Sequence, residues 1–241
     1  MVHLSPRPLR HRVPQRLPSA NVIEQILPST VAVAESFTDP AGVTLFPEEE
    51  ALVARSVEKR RQEFATVRHC ARLALGELGL APAPIVSGAR GAPLWPAGVV
   101  GSMTHCDGYR AAVVGRTTGF ASLGVDAEPH APLPDGVLGA IALSAERSRT
   151  ATLGAVRPAV CWDRLLFSAK EAVYKAWFPL TGRWLDFSEA DIVFDPAGTF
   201  EARLLVPGPV LGGAEVRAFA GRFLVERGLV VTAISIPAVA S

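Results

Sequence analysis

At 241 residues with 49% hydrophobic content, the chain is long enough to bury a sizeable core as one large domain or two small ones. The 24 basic and 23 acidic residues leave a net charge of +1, so the overall balance gives no basis for a duplex nucleic acid partner, and any anion has to be bound locally. The three cysteines, Cys70, Cys106 and Cys161, form no CxxC and argue against a disulfide framework or a structural zinc site.

The first twenty residues carry Arg7, Arg10, Arg12 and Arg16, four prolines and no acid, a composition expected of a flexible basic tail. There is no secretory h-region, and no apolar run reaches the roughly 20 residues a membrane span needs, so a cytoplasmic protein without a membrane partner is expected. Residues Asn21 to Leu27 suggest a short helix, and Thr30 to Glu35 alternates as a strand does. From Phe46 to Gly79 the sequence reads as a long helix or a helix pair. Pro47 suits the first helical position, three glutamates follow it against the positive end of the helix dipole, and Gly79 supplies the stop. Phe64, Val67, Ala71, Leu75 and Leu78 mark its core face. Arg61, Arg68 and Arg72 form a stripe beside that face, while Arg60 falls toward the apolar side, where a guanidinium needs an anion.

The Gly- and Pro-rich stretch from Ala81 to Gly98 is a shaped loop. Strands are expected over 99–105, 109–115 and 123–128, the last closed by Pro129. A weakly periodic helix follows, then a helix over 159–175. Strands are expected again over 184–195, 199–206, 222–226 and 229–236, the last two joined as a hairpin at Arg227-Gly228. A long helix followed by antiparallel strands, twice over, implies an α+β protein of two similar lobes, 21–120 and 121–241, with a seam near residue 120. Two lobes sharing an internal interface make a monomer the simpler expectation.

Two stretches carry chemistry. In GVDAEP, residues 124–129, Asp126 and Glu128 stand at i and i+2, on one face of a strand. In FSAKEAVYKAW, residues 167–177, Glu171 and Lys175 stand one turn apart on a helix. An isolated Glu-Lys pair at that spacing is worth only a few tenths of a kcal/mol. If Asp126, Glu128 and Glu171 converge, however, their mutual repulsion calls for a cation, and all-oxygen ligation favours Mg²⁺ or Mn²⁺ over zinc. A phosphorylated ligand held by that cation at one end and by Arg60, Arg61 or Arg68 at the other accounts for both charge groups. Glu171 is then a candidate base, Lys175 a candidate leaving-group contact and Lys170 a candidate phosphate contact. Spacing alone leaves phosphoryl transfer, nucleotide hydrolysis and metal-dependent nuclease chemistry open.

Three motifs in order, GSMTHCDGY at 101–109, GVDAEP and FSAKEAVYKAW, resemble those of the larger, two-lobed phosphopantetheinyl transferases. KRRQEFATVRHCAR at 59–72 and GARGAPLWP at 88–96 resemble the actinobacterial and enterobactin-type branch, so the likeness covers roughly residues 30 to 195. The resemblance implies a pseudo-twofold α+β fold with its active site between the lobes. It also implies Mg²⁺-dependent transfer of the 4′-phosphopantetheine arm of coenzyme A to a serine of an apo acyl or peptidyl carrier protein, releasing 3′,5′-ADP, in polyketide, nonribosomal peptide or siderophore synthesis. By motif, Asp126, Glu128 and Glu171 would hold the metal, and Glu171 would also help deprotonate the serine. Lys175 would stabilise the departing 3′,5′-ADP and Lys170 contact the pyrophosphate. Arg60, Arg68 and His105 would contact coenzyme A phosphates, and Arg90 would substitute for a lysine that relatives often carry where this chain has Ser87 or Arg90. Val99, Tyr109 or Trp177 could line a channel for the arm. The alternative reading is a non-catalytic module that binds coenzyme A or a carrier protein.

Overall fold

A computed structural model describes residues 21–239; the basic tail over 1–20 lies outside them. After a single 3-10 turn at Ile23–Ile26, the chain runs β1 (Ala32–Ser36), α1 (Pro47–Val53), α2 (Glu58–Glu77), β2 (Val99–Cys106), β3 (Tyr109–Arg116), β4 (Phe120–Pro129), α3 (Val137–Ile141), α4 (Ser144–Val156) and α5 (Trp162–Thr181). It then runs β5 (Ala190–Asp195), β6 (Thr199–Leu204), β7 (Val210–Leu211), β8 (Ala214–Glu215), β9 (Ala218–Glu226) and β10 (Leu229–Pro237). The helix pair begins at Pro47 as its sequence signals indicate, with Phe46 at the N-cap. The second long helix continues past Lys175 through Pro179 to Thr181 and is closed by Gly182 at φ 64°.

The strands form one sheet in the order β1-β3-β2 and another in the order β4-β10-β9-β6-β5, all antiparallel, beside the small ribbon β7-β8. The two sheets repeat one path. A leading strand (β1, β4) is followed by a 20-residue helix (α2, α5) and later by a hairpin (β2-β3, β9-β10) whose second strand pairs with the leading one. β5 and β6 extend the second copy. The β9-β10 turn places both Arg227 and Gly228 at positive φ, 53° and 76°, the condition for a two-residue turn whose twist matches its strands. The stretch expected as one strand over 184–195 is a strand only from Ala190. Before it, Asp186 accepts from the Ser188 amide and caps a 3-10 turn at Phe187–Glu189.

Three apolar clusters hold the molecule. One lies between α2 and the first sheet, with Ala71, Leu75 and Val114; another lies between α5 and the second sheet, with Leu166, Val173, Trp177 and Ile234. The third joins the sheets through Val33, Val113, Leu123, Val125, Ala127 and Val231, closed by Ile23 and Ile26 of the N-terminal turn. β4 is therefore buried on both faces, and its alternation sorts its residues. Leu123, Val125 and Ala127 point into the junction between sheets, while Ser122, Gly124, Asp126 and Glu128 face α5. Gly124 sits where any Cβ would lie 2.2 Å from the Ala172 carbonyl oxygen, so α5 rests directly on the β4 backbone. The edge of β4 away from β10 is stitched to β2 by side chains: the Val125 amide donates to Ser102 Oγ (3.1 Å) and the Ala127 amide to Thr104 Oγ1 (3.0 Å).

Candidate active site

The cleft that matters lies between α2, the loop before β2, β2 itself and α5, and has a volume of about 730 Å³. Arg60, Arg68, Arg90 and His105 line it from the first lobe, Glu171, Tyr174, Lys175 and Phe178 from the second. Six of the residues expected to act together are thus brought to one cavity from four separate segments. Trp95, Val99 and Val67 add apolar wall.

Direct seating of α5 on Gly124 sets the acidic end. It brings Lys175 over β4, where Nζ donates to Asp126 Oδ1 at 2.7 Å, so the lysine pairs across elements rather than with Glu171 one turn away. Thr104 Oγ1 donates to the same oxygen (3.2 Å) while accepting from Ala127, so one hydroxyl both caps β4 and orients Asp126. Asp126 Oδ2 is buried with no hydrogen-bond partner among the described residues. Burial raises the pKa of Glu171, against the nearby Lys175 ammonium, and the Asp126 charge raises it further. Burial likewise raises that of Glu128, with Asp126 adding to the rise and Arg164 opposing it.

The expected convergence of Asp126, Glu128 and Glu171 on one point is not met. Among the described residues no three His, Cys, Asp or Glu side chains stand together as a metal-holding set. The physical reason lies in two ion pairs. Arg164 takes Glu128 Oε2 at 2.9 Å while its other nitrogens donate to the Ala131 and Pro132 carbonyls, and Lys175 takes Asp126. The donor chemistry nevertheless fits a hard divalent cation: the oxygens are carboxylate only, one of them, Asp126 Oδ2, is buried and unpartnered among the described residues, and the Asp126 charge adds to the raised pKa of both Glu128 and Glu171.

At the basic end the two arginines of α2 differ from their sequence reading. Arg68 is the buried one, at 7% exposure, its guanidinium 3.6 Å from the centre of the Phe64 ring and donating to Ser87 Oγ (3.3 Å). Burial lowers its pKa to about 10. Arg60, expected on the apolar side, is half exposed and donates to Nε2 of His105. That leaves His105 neutral: burial and the Arg60 charge lower its pKa to about 4. The other arginines of the stripe are structural. Arg72 grips the fully buried Glu49, and Arg61 pairs with Glu50, tying α2 to α1. Arg90 stands at φ 52° in the loop before β2, 5.3 Å from the Trp184 ring, a contact between the lobes.

Lys170 is not brought to this cavity. It is 3% exposed, pairs with buried Glu146 of α4 at 3.0 Å and donates to the Phe187 and Ala190 carbonyls. Tyr109 and Trp177 are also core residues. Tyr109 donates to Glu35, and the Trp177 indole to the Arg183 carbonyl, whereas Val99 does reach the cleft. Sequence reasoning missed Ser102 and Thr104, although both lie inside GSMTHCDGY. It also missed Tyr174, whose hydroxyl is buried without a partner among the described residues.

Residues 48–115 match the model of the 4′-phosphopantetheinyl transferase N-terminal domain, and residues 122–221 that of the 4′-phosphopantetheinyl transferase superfamily. The chain is 60% identical over 222 residues to the 4′-phosphopantetheinyl transferase Svp of Streptomyces mobaraensis, covering 90% of each chain. It is 55% identical over 223 residues to the 4′-phosphopantetheinyl transferase PptT of Mycobacterium tuberculosis, covering 88% of this chain and 97% of that one. Enterobactin synthase component D of Escherichia coli O157:H7 is 36% identical over 124 residues, 49% of this chain and 55% of its own. With both halves of the chain matched in order and the acidic and basic ends of one cleft built from the motif residues, the chain belongs to the 4′-phosphopantetheinyl transferases, a family of enzymes.

Proposed function

We propose that the protein transfers the 4′-phosphopantetheine arm of coenzyme A to a serine hydroxyl of an apo acyl or peptidyl carrier protein and releases 3′,5′-ADP. The observation that carries this reading is a single cleft with arginines at one end, a carboxylate-lysine cluster at the other and apolar wall between them. Coenzyme A carries groups that suit each part of it: a phosphorylated nucleotide, a pyrophosphate and an arm with apolar stretches.

In this reading Arg60, Arg68 and His105 bind the 3′-phosphate, His105 as a neutral donor through Nδ1 once Nε2 accepts from Arg60. Arg90, stacked on the Trp184 ring, reaches the phosphates from the loop. Asp126, Glu128 and Glu171 would hold Mg²⁺, or Mn²⁺, beside the pyrophosphate, and the metal would supply Lewis-acid stabilisation of charge on the phosphoryl oxygens. The arm runs along the apolar wall that includes Tyr174 and Phe178. Glu171, its pKa raised by burial, takes the proton of the carrier serine as the hydroxyl attacks the phosphorus of the arm. Lys175, half-buried and already paired with Asp126, turns its ammonium toward the departing 3′,5′-ADP. Lys170 keeps a structural role, fixing α5 to α4 and to the segment before β5. A monomer and carriers of secondary-metabolite or siderophore synthesis complete the proposal.

The test is incubation with coenzyme A, Mg²⁺ and a panel of apo carrier proteins, read by intact-mass spectrometry. A mass gain of one phosphopantetheine on the carrier serine, abolished by EDTA and restored by Mg²⁺, is the expected result. Tight coenzyme A binding with no mass gain on any carrier would instead favour a binding module.

A further inference from the structure

Glu63, on α2, is 14% exposed as a side chain, and a carboxylate so far removed from water needs cationic neighbours. Three cationic or basic groups surround it: Arg60 Nη1 and Arg110 Nη2 at 3.6 Å each, and His105 Nε2 at 3.9 Å. Arg110 does not need it. That guanidinium is 5% exposed, pairs with Asp39 at 2.9 Å and donates to the Cys106 and Tyr109 carbonyls, so it is fixed already. Arg60 is different: among the described residues its polar partners are His105 and Glu63 alone, and its side chain is 46% exposed. A half-exposed arginine loses rotamer freedom on binding an anion unless something holds it beforehand.

We propose that Glu63 is a positioning residue for the phosphate-binding end of the cleft: its carboxylate holds Arg60, and through Arg60 the His105 ring, facing the cavity before coenzyme A arrives. This rests on the proposed function, because it assigns a role at that same site. The ion pair engages one nitrogen of the guanidinium, Nη1, and leaves its other donors to a phosphate. Glu63 also neutralises part of the charge that Arg60 and Arg110 concentrate around His105.

The experiment compares wild type, Glu63→Gln and Glu63→Asp with coenzyme A and with dephospho-coenzyme A, which lacks the 3′-phosphate. Calorimetric affinities and the split between KM and kcat are both measured. In wild type, coenzyme A binding and transfer come first, and their absence would refute the proposed function rather than this inference. Given that activity, Glu63→Gln is expected to raise KM and Kd for coenzyme A about fivefold with kcat unchanged, a loss of about 1 kcal/mol. Affinity for dephospho-coenzyme A should hardly move, and Glu63→Asp should recover part of the loss. A purely structural role would weaken both ligands equally or lower the melting temperature in proportion. Equal weakening, an unchanged KM, or a tighter Kd in Glu63→Gln would each overturn the proposal, the last because the carboxylate would then only repel the phosphate.

Discussion

Replacing Lys170 by methionine separates two roles that the sequence alone confuses. The side chain is 2% exposed and its ammonium lies 3.0 Å from Glu146, itself 0% exposed, with further donations to the Phe187 and Ala190 carbonyls. Methionine fills the space and removes the charge. Glu146 keeps the amides of Leu143 (2.7 Å) and Ile192 (2.8 Å), but loses the one cation it pairs with among the described residues, and two carbonyls lose a donor. Breaking a buried pair from one side costs about 3–5 kcal/mol. With an m-value of about 3 kcal/mol/M in urea for a chain of this size, the midpoint should fall by about 1–1.7 M. A second substitution, Glu146→Gln, removes the stranded charge while keeping an acceptor for the Leu143 and Ile192 amides, and should recover part of the loss. The assay is urea unfolding followed by circular dichroism, alongside calorimetric coenzyme A binding well below the transition. The expected result is a large loss of stability with coenzyme A affinity within twofold of wild type. An unmoved midpoint with coenzyme A affinity down tenfold or more would show that Lys170 meets the pyrophosphate, and would refute the structural assignment.

Glu171→Gln should lower the transfer rate at least about a hundredfold, the usual size of a lost general base, with the thermal midpoint unchanged; retained turnover would take Glu171 off the reacting atoms. Gly124→Ala should cost about 1–3 kcal/mol by overpacking, because the new Cβ meets the Ala172 carbonyl oxygen at 2.2 Å and the Ala176 nitrogen at 2.7 Å. It should also lower kcat, since α5 carries Glu171 and Lys175 away from Asp126, and an unaltered kcat would mean that the seating of α5 does not set the site. His105 has a folded-state pKa of about 4, below the ordinary histidine value of about 6.5, so the unfolded chain binds more protons between those limits. Its contribution therefore weakens stability as pH falls from about 6.5 toward 4 and is absent above. Urea midpoints of His105→Gln at pH 7 and pH 5 should differ less than those of wild type, and parallel losses would contradict the assignment.

Which parts of the site could be read from the sequence follows from the range of the forces that build it. Asp126 and Glu128 share a face because a strand has period two, and Glu171 and Lys175 share one because a helix turns every 3.6 residues, so motif spacing carries those relations wherever the elements end up. The capping box from Asp186 to Glu189 was equally local and readable, and it explains why the strand starts only at Ala190. What spacing could not carry is the identity of each charge's partner. Lys170 and Lys175 lie on one helix with similar surroundings in sequence, yet one meets Glu146 in the core and the other Asp126 at the cleft. Arg60 and Arg68 exchanged their expected exposures because the loop over 81–96 covers α2 from the side where the Ile85 carbonyl and Ser87 await Arg68. The same holds for Ser102 and Thr104, whose hydroxyls count only because two sheets abut without a shared backbone ladder. Gly124 links the two scales: its missing Cβ is a local fact with no local meaning, and it decides how closely α5 approaches β4. The carboxylates and lysine of the cleft thus take their relative positions from backbone contact between a helix and a strand, and the charges themselves then settle which of them pair.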